Sequence, residues 1–214
     1  IAGKNAIVPG GIGQYILSCS SEIVRKGHDV TVLCKTSYNF TFKENNINFV
    51  GLTQENKYWD IDVFKFLKKN KYDIIEFPEW GGIGALSALL LPKKNGRVGT
   101  RGHGHSLWVR RLHGDRLKKG KQYFKELLQI RFSEGVLTNS EFLKSMFIND
   151  FKLESRKIDV THIGINTDKI GNKNSEINKF NGPVLMYVGG YDKRKGPAKL
   201  VEMLPVLNKI AGHR

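Results

Sequence analysis

The sequence predicts an α/β fold built on a mainly parallel sheet. Strand-like and amphipathic helical runs alternate along the chain. The clearest strand-like run, Asp29–Cys34 (DVTVLC), has the β-branched content of a strand buried in a sheet. Glycine- and charge-bearing turns follow several of these runs, where open α/β sheets place their ligand sites.

The elements are read in order. Ile12, Ile16, Leu17, Ile23 and Val24 share one apolar helical face, and Gly27 ends that helix. The strand Asp29–Cys34 follows. Asp60–Asn70 is an amphipathic helix with Ile61, Phe64 and Leu67 inward, and Tyr72–Phe77 (YDIIEF) is the next strand. Gly82–Leu91 reads as a buried helix closed by Pro92, and Arg97–Arg101 as a weaker strand. Gln122–Phe132 is helical, Gly135–Thr138 a short strand, Ser140–Asp150 a helix and Lys157–Ile163 a strand. The polar, aperiodic stretch Asn172–Gly182 reads as a linker. Beyond it come an apolar strand, Pro183–Val188 (PVLMYV), a basic turn, Lys193–Gly196, and a helix, Pro197–Ile210, with proline in its first turn. A boundary near 180 divides the chain into a first domain, 1–180, and the start of a second, 181–214.

Bulk properties narrow the function. The chain has 214 residues, 40% hydrophobic and 26% charged, as an ordinary globular protein does. The longest apolar run, Ala85–Leu91, is broken by Ser87 and is too short to span a bilayer, and no secretory signal pattern is present. Cys19 and Cys34 read as reduced core thiols, which fits a cytoplasmic setting. The net charge of +15 asks for an anionic partner. From Arg101 to Arg131 nine Lys or Arg stand against Asp115 and Glu126; by itself such a run reads first as a solvated surface of biased composition, and otherwise as a candidate face for an anionic membrane surface.

Four motifs could carry chemistry. Pro9-Gly10-Gly11-Ile12-Gly13 precedes a helix, so backbone could approach a phosphate at the helix N-terminus. Ile16 where a dinucleotide fingerprint needs a small residue, and the lack of a ribose-binding acid at the strand ending in Cys34, argue against NAD. Arg101-Gly102-His103-Gly104-His105-Ser106 follows a strand, and a histidine there can donate to a sugar hydroxyl or shield developing positive charge. His103, His105 and His113 do not have zinc-ligand spacing. Glu76-Phe77-Pro78-Glu79-Trp80-Gly81-Gly82, at the end of another strand, suits a carbohydrate, with Glu79 and Trp80 as candidates: the carboxylate takes hydroxyls and the ring stacks on sugar C–H faces. They equally suit a helix entry. Val188-Gly189-Gly190, followed by Arg194, Lys195 and Gly196, is a second candidate anion site or a solvated turn. Asp60-Ile61-Asp62 reads as acids opening a helix.

Taken in order, these pieces resemble the family 4 retaining glycosyltransferases of GT-B fold. Gly10-Gly11-Ile12-Gly13 is similar to the family's GGxG loop, and Gly27-His28-Asp29-Val30-Thr31-Val32 to its GHEVTV run. Asp73-Ile74-Ile75-Glu76 with Pro78-Glu79-Trp80 is similar to its next strand end, and Arg101-Gly102-His103-Gly104 to RLHG. Thr138-Asn139-Ser140-Glu141-Phe142 resembles its SEF helix start, Gly164-Ile165-Asn166-Thr167 its NGID turn, and Val188-Gly189 with Lys195-Gly196 its VGR…KG loop. The resemblance implies a Rossmann-like parallel sheet with helices on both faces as the acceptor-side domain, and a second, nucleotide-sugar-binding domain of which only the first βα unit is present. It implies transfer of a hexose-type sugar from a nucleotide-diphosphate sugar to a glycan, a lipid-linked acceptor or a polysaccharide. Configuration would be retained, with no metal and no cofactor beyond the co-substrate. His103 would act at the reacting carbon, Gly11 and Gly13 would lie against the donor, and Lys195 would neutralise the diphosphate. Gly190 stands where the family has arginine, so Arg194 is the candidate replacement. The family's E-x7-E donor segment is not in these 214 residues, so weak donor binding and little turnover are expected of them alone. Two other classes stay open. One is a non-catalytic acceptor-binding domain. The other is a basic nucleic-acid-binding protein, although no helix-turn-helix, zinc or aromatic single-strand motif is present.

Overall fold

The structure, a computed structural model, describes residues 10–53, 59–114, 120–164, 167, 184–191 and 195–210. The chain divides into two compact units, one of Ile1–Val109 with Leu117–Ile165, the other of Arg110–Arg116 with Asn166–Arg214.

In the first unit, helix α1 (Gly10–Arg25) begins at Gly10, which sits at φ +81. The glycines therefore form the helix's first turn, not a loop ahead of it. Glycine disfavours a helix interior by about 1 kcal/mol, but Gly13, Tyr15, Leu17 and Ser20 are buried and packing overrides that cost. The inward face is the expected one along most of its length, with Leu17 buried and Ile16 and Val24 packed beside it, whereas Ile23 is exposed. Strand β1 (Val30–Thr36) is followed by β2 (Phe40–Glu44) and β3 (Ile47–Thr53), a hairpin where no element was expected. Its signal was Asn45-Asn46, both at positive φ, between alternating segments. β3 pairs parallel with β1 and antiparallel with β2.

Helix α2 (Trp59–Lys69) buries Val63 and Leu67; Ile61 and Phe64, expected inward, are only half-buried. β4 (Ile74–Pro78) leads into a 3-10 turn, Trp80–Gly82, and the short helix α3 (Ala85–Leu90). The long buried helix expected here is interrupted because Gly81 and Gly82 adopt positive φ, and Leu89 and Leu90 are exposed. β5 (Arg97–Gly102), the first half of α4 (Ser106–His113, whose residues from Arg110 on belong to the second unit), α5 (Lys121–Phe132), β6 (Gly135–Thr138), α6 (Glu141–Phe151) and β7 (Ile158–Val160) complete the unit. The Ser140 hydroxyl caps α6 by accepting the Leu143 N–H.

Strands β4, β5, β6 and β7 form a wholly parallel sheet in chain order. Their carboxyl ends share one edge: Pro78 pairs with Arg101, Gly102 with Thr138, and Thr138 with Val160. Side chains alternate across the sheet. Ile75, Phe77 and Val98 pack against Val63 and Leu67 of α2. The opposite face presents Glu76 and Arg101 to Tyr15 of α1. Helices thus lie on both faces, the Rossmann-like arrangement the sequence implies. A second cluster joins α5 and α6 to β6 and β7 through Ile130, Phe147, Phe151, Val136 and Ile158.

In the second unit, α7 (Pro197–Ile210) has Pro197 in its first turn. The strand expected over Pro183–Val188 does not form among the described residues: Val184–Val188 is exposed, without a ladder. A strand exists only by pairing, however apolar its residues. The expected linker, and Lys193 and Arg194 of the basic turn, lie outside the described residues.

Gly82 is the most constrained glycine of the β4–α3 connection. It has φ +62, and a Cβ there would fall 2.4 Å from the Lys125 backbone carbonyl carbon. Gly82→Ala is therefore expected to cost about 2 kcal/mol or more, since α5 itself must move. Urea denaturation followed by circular dichroism measures this; a midpoint matching the wild type would show that the turn can relax.

Candidate functional site

The residues that follow the ends of β4, β5 and β6 are Glu79, His103 and Asn139. Their side chains hold buried polar atoms with no partner among the described residues: Glu79 Oε2, His103 Nε2 and Asn139 Oδ1, joined by Arg101 Nε on β5. A buried polar atom is costly to leave unpaired. His103 Nε2, Asn139 Oδ1 and Arg101 Nε mark where a polar ligand would be accommodated at this edge, while Glu79 Oε2 lies behind it.

His103 is the best placed. Its ring stands edge-on to Tyr15, with centroids 5.0 Å apart. Tyr15 donates to Glu76 Oε1 at 3.0 Å, Glu76 Oε2 receives Arg101 Nη2 at 3.3 Å, and the Arg101 guanidinium lies 5.1 Å from the Tyr15 ring centroid. This network ties α1 to two strands. Burial, then the nearby Arg101 charge, hold His103 below the usual histidine pKa, against a smaller opposing effect of Glu76. The ring is neutral at pH 7 and offers one N–H and one lone pair. Burial and the Glu76 charge push the Tyr15 phenol up, so Tyr15 remains a donor.

Two carboxylates behind this edge shape its loops. Glu79 has no exposed surface, and its Oε1 accepts the backbone N–H groups of His103 at 2.8 Å and Gly104 at 2.5 Å. Glu126 of α5 is equally buried. It accepts the Gly81 N–H at 3.1 Å, the Ser106 N–H at 3.2 Å and the Ser106 hydroxyl at 2.7 Å. Gln129, one helical turn on, accepts the Gly84 N–H and donates to the Pro78 carbonyl. One face of α5 thus stitches the β4 loop to the β5 loop.

The expected site residues separate accordingly. Glu79 is not on the rim; burial has made it an internal anchor of the His103 loop. Trp80 beside it is 42% exposed and free to stack. Gly11 is exposed, with nothing within 4 Å of a Cβ placed there among the described residues, while Gly13 is buried in α1. Gly11 lies one turn before Tyr15, on the same side of the helix. Lys195 is exposed in the second unit, and Arg194 lies outside the described residues. His105 is a core residue: its Nε2 lies 3.0 Å from Asp150 Oδ2 and its ring packs on Phe147 and Phe151. Asp60 pairs with Lys125 at 3.1 Å. Among the described residues no three His, Cys, Asp or Glu side chains converge as a metal site requires, and no helix is long and apolar enough to cross a membrane. The sequence-based site lacked Tyr15, Glu126 and Asn139, and held Glu76 only as the opening residue of the Glu76–Gly82 motif, with no role of its own. Tyr15 and Glu76 are separated by 61 residues, so no local spacing could have paired them.

A family model described as Glycosyltransferase Family 4 matches residues 9–169, most of the chain. No curated protein matches.

Burial sets the pH behaviour of Glu79. Desolvation, opposed by the His103 and Gly104 amides and aided by Glu126, pushes its carboxyl from 4.5 up to about 7. Between these values the folded protein holds a proton that the unfolded chain has released. Wild-type stability therefore falls as pH rises across this window. Glu79→Gln removes that slope, so its stability relative to wild type is expected to climb by about 3 kcal/mol, at roughly 1.4 kcal/mol per unit. Urea denaturation at several pH values between about 4.5 and about 7 measures this; parallel profiles for the two proteins would rule out burial as the governing effect.

Proposed function

This chain belongs to glycosyltransferase family 4, and we propose that it moves a hexose-type sugar from a nucleotide-diphosphate sugar to a glycan or lipid-linked acceptor, with retention of configuration. The observation that carries the reading is His103, neutral, with an unpartnered buried Nε2 at the carboxyl edge of a parallel sheet. That edge is where α/β sheets hold their ligands. In this reading His103 donates to a hydroxyl of the donor sugar and orients it beside the reacting carbon. A neutral ring holds a sugar better than a charged one here, because Arg101 already supplies positive charge. Gly11 admits the donor close to the α1 backbone, where any side chain would stand in the way. Trp80 stacks on the acceptor. Lys195, with Arg194, neutralises the leaving diphosphate, an electrostatic role that needs no metal. Glu79 supports the site from within and does not touch the acceptor.

The acceptor class suggests a partner surface. Helix α5 exposes Phe124, Leu128 and Phe132, at 51%, 39% and 50%, with Lys121 and Arg131 exposed on the same helix. Apolar residues at i, i+4 and i+8 beside cations suit an anionic membrane surface from which a lipid-linked acceptor of polysaccharide biosynthesis is taken. In this reading the protein works at the cytoplasmic side of that membrane.

With the full-length protein, a thermal-shift screen against UDP-, GDP- and ADP-sugars is expected to show stabilisation by one nucleotide class. Gly11→Ala should leave the unliganded Tm unlowered or raise it slightly, as alanine suits an open helical position, and weaken that shift. His103→Ala should lower sugar transfer on the order of a hundredfold or more. Full transfer by the His103 variant would end this assignment. Separately, the chain should co-sediment with phosphatidylglycerol vesicles but not with phosphatidylcholine ones, and replacing Phe124, Leu128 and Phe132 by Ser should release it. Equal sedimentation with both vesicle types would remove the membrane from the reading.

A further inference from the structure

Resting on the reading that His103 meets the donor sugar, we infer that Glu79 is the positioning residue of that histidine: its buried carboxylate clamps the two consecutive amides that aim the ring. The geometry is specific. Both N–H groups converge on one oxygen, Oε1, at 2.8 and 2.5 Å. One acceptor thus fixes the peptide planes on either side of the His103 α-carbon, and with them the direction of its Cα–Cβ bond, from which the ring reaches its edge-on contact with Tyr15. The clamp is itself held, because the Glu79 N–H donates to the Arg101 carbonyl at 3.0 Å and its carbonyl accepts the Gly82 N–H at 3.0 Å. Gly104 completes the fit: it sits at φ +129, and a Cβ there would fall 2.9 Å from the Trp108 ring. The loop can therefore turn both amides inward only with glycine after His103.

Oε2 is left without a partner among the described residues. The carboxyl thus has one oxygen committed to the loop and one that is free to take or lose a proton. Of the titratable groups packed around it, Glu126 from α5 is the charge that acts on it; the His103 ring of the loop is neutral, and the Arg101 guanidinium of β5 is turned to Glu76. Glu126 favours the protonated form of Glu79, and the two loop amides favour the anion. Protonation weakens Oε1 as an acceptor, so the clamp on His103 loosens as pH falls through the titration of Glu79. Near neutral pH a small change in acidity alters how firmly the histidine is held.

The test is an NMR titration of the isotope-labelled chain between about pH 5 and about pH 9, without any sugar, comparing wild type, Glu79→Gln and Glu79→Ala. In the wild type the amide protons of His103 and Gly104 should move together through one transition near 7. Glu79→Gln keeps an acceptor but cannot titrate, so it should flatten both curves and retain the ring-current shift that Tyr15 imposes on His103. Glu79→Ala should lose that ring-current shift, and exchange of the two amides should become roughly tenfold faster or more. Amides that still titrate in Glu79→Gln, or a His103 ring unmoved in Glu79→Ala, would overturn the inference. Because these measurements use no sugar, they fail independently of the transfer reading, which stands or falls on the activity of His103→Ala.

Discussion

Two carboxylates with no exposed surface, Glu79 and Glu126, receive the backbone amides of the loops that follow β4 and β5. Loops at the carboxyl edge of a parallel sheet have no ladder to satisfy their N–H groups, and at this depth water cannot serve all of them. Charged acceptors meet that need more strongly than neutral ones. Their arrangement fixes the exit of β4 and the placement of His103, and it sets α5 against the sheet edge.

The cost appears elsewhere in the same site. Burying Glu79 and Glu126 near one another raises the Glu79 pKa, and the free Glu79 oxygen stays unpaired among the described residues. His103 Nε2 and Asn139 Oδ1, also unpaired among the described residues, are the atoms that gain partners when a polar ligand binds at this edge. Structural economy alone would place apolar side chains here. The tension between burial and charge at this edge is what a binding site asks for, and it coincides with the region of the chain that matches a sugar-transferring family.

The second face of the sheet has a different logic. Tyr15, Glu76 and Arg101 form a mixed aromatic and ionic contact where a fully apolar one would pack as well. Its effect is to keep one charge of each sign near His103. The arginine disfavours a protonated ring while Glu76 partly offsets it. The imidazole stays neutral, and α1 is drawn down on the strand ends with its glycine turn still open.

Residue patterns alone determined the alternation of helices and parallel strands, the helices Lys121–Phe132, Glu141–Phe151 and Pro197–Ile210, and the motifs in order from Gly10 to Gly196. These are local properties: periodicity, caps and short spacings. The hairpin over residues 40–53 was legible too, in the pair Asn45-Asn46, but alternation in so short a segment carries little weight beside longer runs. Only the tertiary structure decided that Glu79 is an anchor and not a rim carboxylate, that His103 belongs to the sheet edge while His105 lies in the core, and that Tyr15, Glu76 and Arg101 meet. Those outcomes depend on which elements become neighbours. That choice is made by burying apolar area across the whole unit, and the residues it brings together are 24 to 61 positions apart.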